Sequence, residues 1–236
     1  KYQPKNPLFE NEWVEVLKLE LPDYFYELRR KGENENILCE LIRKDSVKDF
    51  YEFVISNNIS FNGIIDPSIY ETNSFLVKNQ IQPYIIHFRT GKTSKCVTLI
   101  EYAAFFGSVQ IFSLLKNNGV YSTPSLWSYA IHSGNPELIH RLGDINETYQ
   151  KLFYESIKCH HNDIAHYFFN NYLQNEDEYS NETISRILKY LNFSFLEKKY
   201  INESAFGHLC HYDYYSLVKI LLSSRDININ NKVIKI

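Results

Sequence analysis

Cys159, His160, His161 and His166 fall within eight residues, and His208, Cys210 and His211 within four. Thiolates and imidazoles are the side chains that build zinc sites, but a structural zinc needs four of them converging on one point. In the helical register derived below, Cys159 and His160 close one helix and His166 lies on the next. They are therefore expected to point apart, as surface and turn residues, and no metal is expected. Gly91-Lys92-Thr93 has the form of the end of a phosphate-binding loop. That motif also requires glycine at position 86, where the sequence has Ile86, so no nucleotide and no other cofactor is expected. Glu137, Glu155 and Asp163 read as helix-face and cap carboxylates. No serine–histidine–aspartate or cysteine–histidine order marks a nucleophile, so the chain is not read as an enzyme.

The balance of 25 basic and 28 acidic residues provides no positive field, which argues against nucleic acid and anionic membranes as partners. Cys39, Cys96, Cys159 and Cys210 are widely spaced and form no CxxC pair. This is the usage of reduced thiols, and with no signal-like or membrane-spanning apolar run the expected compartment is the cytoplasm, with cytoskeletal association the variant. Five Asn-x-Ser/Thr sequons, at Asn58, Asn146, Asn181, Asn192 and Asn202, are read as chance in an Asn-rich chain. Methionine is absent, position 1 included, and the sequence ends within a polar–apolar pattern. Both features lead to the expectation of a longer protein whose array continues past Ile236.

What must position any functional group is a repeat. Taking Ala103 as an anchor, Thr98 lies five residues before it, Ile100 three before, Gly107 four after and Leu115 twelve after. The same slots recur around Ala130 (Ser125, Trp127, Gly134, Leu142), 27 residues on, and around Ser156 (Lys151, Phe153, His160, Phe168), a further 26 on. They recur again around Leu209 (Ser204, Phe206, Asp213, Leu221) and, upstream, around Leu41 (Asn36, Leu38, Asp45, Phe53). A degenerate unit is expected over Thr183–Lys198. Asn, Thr or Ser in the first slot suits a helix N-cap, apolar third and sixth slots share a helical face, and Gly, His or Asp in the tenth ends the first helix. Each unit is a helix–turn–helix too small to hide its own apolar face, so it must stack on the next.

TLIEYAAFFGSVQIFSLLKNNG resembles the ankyrin pattern TPLHxAAxxGHxEVVxLLLxxG, departing from it at Leu99 and Glu101, and CHYDYYSLVKILLSSRDININ resembles a second such repeat. IRKDSVKDFYEFVISNN together with DPSIYETNSFL resembles the leader of a set of parabasalid-protist ankyrin proteins, a domain of unknown function. The resemblance runs from about Asn36 to the end. It implies an all-α, ankyrin-like helical-hairpin solenoid with short, degenerate 26–27-residue repeats, lacking most of the β-hairpin finger. The expected organisation is an N-terminal extension with capping helices over residues 1–34, a leader helix pair with loops over 35–96, and repeats over 97–236. Asn57–Asn62 and Asn79–Ser94 read as loops, and Asn170–Asn181 as an acidic connector.

In this register the inner groove is lined by Tyr102, Phe105 and Phe106, by Tyr129 and His132, by Glu155 and Cys159, and by His208, His211 and Tyr212. Aromatic side chains bury much surface with few rotors and dominate protein-binding hot spots. Tyr102, Phe105, Tyr129, His132, His208, His211 and Tyr212 are therefore the expected contacts for a protein partner. Shortened repeats could equally close over the rings and make them core. The expected function is a non-catalytic protein-interaction scaffold using the groove and its loop edge. The second reading is a structural subunit of a large assembly, cytoskeletal or axonemal.

Overall fold

The computed structural model describes residues 24–79, 96–143, 145, 147–173, 181–195 and 203–223. The protein is mostly helical, and no strand occurs among the described residues. A capping helix, α1 (Phe25–Lys31), ends at Gly32. It precedes a hairpin of α2 (Ile37–Arg43) and α3 (Val47–Ser56), and then a short α4 (Ser74–Asn79). Three further pairs follow: α5 (Leu99–Phe106) with α6 (Val109–Asn117), α7 (Leu126–Ser133) with α8 (Pro136–Arg141), and α9 (Tyr149–Lys158) with α10 (Asn162–Phe168), which runs on into a π turn, Phe169–Leu173. Next come α11 (Asn181–Lys189) with a 3-10 turn at Phe193–Phe195, and α12 (Glu203–His211) with α13 (Tyr215–Ser223).

The first helices pack side by side in chain order: α2 on α5, α5 on α7, α7 on α9, α9 on α11 and α11 on α12. The anchors Ala103, Ala130 and Ser156 are wholly buried in this row and Leu209 nearly so, because only small or well-fitted side chains allow neighbouring helices to approach.

Every tenth slot takes a left-handed backbone: Asp45, Gly107, Gly134, His160 and Asp213 all have φ between 49° and 70°. The degenerate unit joins them through Leu191 at φ 59°, which fixes Ile187 as its anchor. Behind each turn one backbone bond repeats. The N–H five residues past the anchor donates to the anchor carbonyl for Ser46 and Leu41, Ser108 and Ala103, His161 and Ser156, Asn192 and Ile187, and Tyr214 and Leu209, at 2.9–3.0 Å. This is the αL helix stop, which satisfies carbonyls left free at a helix end. In the α7 unit the equivalent N–H, of Asn135, turns to Ser133 Oγ at 3.1 Å instead.

The side chain at that same position links each turn to the first helix of the previous unit. Ser108 Oγ donates to Ile42 O (2.5 Å), Asn135 Nδ2 to Gly107 O (3.2 Å), Asn192 Nδ2 to Ile157 O (2.9 Å) and Tyr214 Oη to Leu188 O (2.6 Å), while His161 Nε2 lies 3.4 Å from His132 O. Asn192 is completely buried, so its sequon is closed to glycosylation in the folded chain.

Two local expectations need correction. Asn36 and Thr98 cap their helices, Thr98 in a full capping box with Glu101, but Ser125 caps nothing; its hydroxyl donates to Glu101 Oε1 at 2.5 Å. The Asn170–Asn181 connector begins as the π turn. The segment carrying α4 is pinned at its base, where Ile65 N–H donates to Val97 O and Leu99 N–H to Gly63 O. Residues 1–23, most of the Asn79–Ser94 loop, the Asn175–Glu178 run and the last 13 residues lie outside the described residues.

Candidate functional site

Tyr102 and Tyr129, both expected to contact a partner, are core residues, 0% and 1% exposed. The reason is the close approach of short repeats. Tyr102 lies in the seam between α5 and α2, where its hydroxyl accepts from Arg43 Nη1 at 2.8 Å, and burial pushes its pKa well above the ordinary tyrosine range. The Tyr129 ring meets Phe75 of α4 edge-on at 4.9 Å between centroids.

Phe75 also decides the fate of the next two groove residues. Its ring lies 4.0 Å from that of His132 and stacks on Phe105 at 5.9 Å, so α4 forms a strap across α5 and α7 and leaves Phe105 and His132 half-buried. His208, His211 and Tyr212 are at the far end of the row. His211 is exposed, His208 is half-buried with its pKa lowered by burial and by His211, and the Tyr212 hydroxyl lies 3.3 Å from Ser185 Oγ. The seven predicted contacts therefore divide into two core residues, two under the strap and three at the C-terminal end.

Beneath the strap the structure gathers three groups from two successive units, His132 from one and Glu155 and Cys159 from the next. His132 Nε2 lies 2.7 Å from Glu155 Oε1, and the His132, Glu155 and Cys159 donor atoms all fall within 4.8 Å of one another. Glu155 and Cys159 are one helical turn apart on α9 and its C-cap, and His132 faces them from the end of α7. Lys158 Nζ reaches Glu155 Oε1 at 2.6 Å and lies 5.5 Å over the Phe75 ring. Burial would raise the Glu155 pKa, but hydrogen bonds from His132 and Lys158 outweigh it and hold the carboxyl at about 2. Burial, aided by the Glu155 charge, pushes the Cys159 thiol up to about 12. A thiol so protonated is a poor nucleophile. Of the other members of the first His/Cys group, His160 Nε2 lies 2.8 Å from Tyr190 O, His161 Nε2 lies 3.4 Å from His132 O, and the His166 ring packs on Phe195.

A second site lies between α8 and α10, with no periodic sign in the sequence. A cleft of about 590 Å³ is lined by Trp127, Ile139, His140, Ile145, Tyr149, Asp163, Tyr167 and Tyr172. Tyr149 and Tyr172 stack with rings 3.9 Å apart and nearly parallel, and the Tyr172 hydroxyl lies 3.3 Å from that of Tyr167. These three tyrosines are 39–44% exposed. They come from three elements (α9, α10 and the π turn), so their only sequence signal was composition. No described helix is long and apolar enough to cross a membrane. No family model, curated protein or solved structure matches the chain.

Proposed function

We propose that the chain is a non-catalytic protein-interaction scaffold, an ankyrin-like solenoid of short repeats. On this reading it grips its partner at the loop edge, through the tyrosine-lined cleft between α8 and α10. The observation that carries this reading is the half-exposed cluster of Tyr149, Tyr167 and Tyr172 around an apolar cleft of about 590 Å³. A cleft of that size accepts one or two apolar side chains, and tyrosines supply binding energy at low cost in rotamer entropy. The repeated bonds from turn to preceding helix hold the walls before the partner arrives, so little ordering entropy is lost on binding. Asp163 on the cleft wall favours a partner segment with a basic residue beside its apolar anchor.

Selection of peptides from a random display library against the whole chain tests this. The expected winners carry an aliphatic or aromatic anchor next to Lys or Arg. They lose more than about tenfold in affinity to Tyr167→Ala or Tyr172→Ala and are unaffected by His211→Ala. Winners indifferent to both tyrosine truncations would overturn the reading.

A further inference from the structure

We propose that His132, Glu155 and Cys159 form a binding site for a thiophilic divalent metal ion, zinc being the natural occupant, which ties α7 to α9. One imidazole nitrogen, one carboxylate oxygen and one sulfur make a mixed donor set that suits zinc and disfavours magnesium or calcium, which take oxygen. The three donors lie within 4.8 Å of one another. An ion about 2.0–2.3 Å from each needs them roughly 3.5 Å apart, so side-chain rotations of about an ångström close the site without moving a helix. The pair Glu155 and Cys159 is held at one-turn spacing by α9, and His132 is fixed by its packing against the Phe75 and Phe105 rings.

The metal's competitor is Lys158, whose ammonium neutralises Glu155. The same ammonium already lies over the Phe75 ring, which is a seat for it once the metal takes over the carboxylate. Three protein ligands leave a fourth position for water or a partner's side chain, as in open zinc sites. Binding releases the Cys159 proton to solvent and forms the metal–sulfur bond; nothing is oxidised or reduced.

The test is titration of the whole reduced chain with Co²⁺, read by absorption. One equivalent is expected to give tetrahedral d–d bands and a thiolate-to-cobalt charge-transfer band, and Zn²⁺ is expected to displace it and raise the melting temperature over the EDTA-treated protein. Cys159→Ser should abolish the charge-transfer band, and His132→Gln should weaken Co²⁺ binding by more than about tenfold, with far-ultraviolet circular dichroism unchanged. A His208→Ala/His211→Ala variant should keep the full signal, since these groups and Cys210 form the other dense His/Cys run. Absence of a thiolate–cobalt band in the wild-type chain would overturn the proposal. So would a band that survives Cys159→Ser or vanishes in the His208/His211 variant.

Discussion

The Asn192 amide donates to the Ile157 carbonyl at 2.9 Å, joining a turn to a helix 35 residues earlier in the chain. It also donates to Asn162 Oδ1 at 2.8 Å, and the side chain is fully buried. The bond is one of five equivalent links between successive units, and it occurs in the most degenerate of them. There the sequence has lost the repeat pattern and the backbone has kept it.

Asn192→Ala leaves the Ile157 carbonyl buried without this donor. The expected loss is about 2 kcal/mol of unfolding free energy, read from urea denaturation, where an exposed control such as Asn171→Ala changes stability by less than about 0.5 kcal/mol. Equal effects for the two variants would show that the link carries no stability.

Gly134 has φ 61°, and a Cβ on it would lie 2.4 Å from the His161 ring. Gly107 occupies the same slot at φ 70°, but its Cβ would meet nothing closer than 3.3 Å. Gly134→Ala therefore combines left-handed strain of about 1–2 kcal/mol with a displaced ring, whereas Gly107→Ala carries mainly the strain. Thermal melts should place Gly134→Ala clearly below Gly107→Ala; the reverse order would contradict the packing of His161 against that turn.

Glu101 is a buried carboxylate that accepts from the Thr98 N–H and hydroxyl of its own unit, and from the Thr123 and Ser125 hydroxyls of the next. It joins α5 to the turn before α7. Glu101→Ala strands several donors at once, with an expected loss of about 3 kcal/mol or more in chemical denaturation. A loss under about 1 kcal/mol would mean that water satisfies those hydroxyls.

Glu71 is buried in the segment leading to the strap, and its Oε2 has no hydrogen-bond partner. Burial raises its pKa above the ordinary carboxylate value, against the pull of backbone donors and Arg43. The folded chain thus binds more protons here than the unfolded chain. The Glu71 contribution is fully present below the unfolded pKa near 4.5 and is lost as pH rises through the higher folded value. Comparing the wild type with Glu71→Gln from pH 4 to 8, the variant is expected to gain on the wild type as pH rises. A constant difference would remove Glu71 as a titrating group.

The positions of the hairpins were legible because an αL stop and an N-cap are local. The anchor at Ala103 and the turn at Gly107 are four residues apart, and their bonding is closed within one helical turn. Leu191 and α4 escaped for the same reason in reverse. A leucine carries no turn signal of its own, and six residues of helix are too few to show a period.

The amino-acid sequence by itself determined the helical class, the register of five units and where each first helix stops, since all of these depend on contacts within a few residues. Only the tertiary structure decided which groove aromatics were core, because that depends on how closely α2 and α4 approach α5 and α7. It alone brought His132 to Glu155 and Cys159, and Tyr149 to Tyr167 and Tyr172. Side chains from different elements meet through the packing of whole helices, and residue spacing along the chain carries no record of that distance.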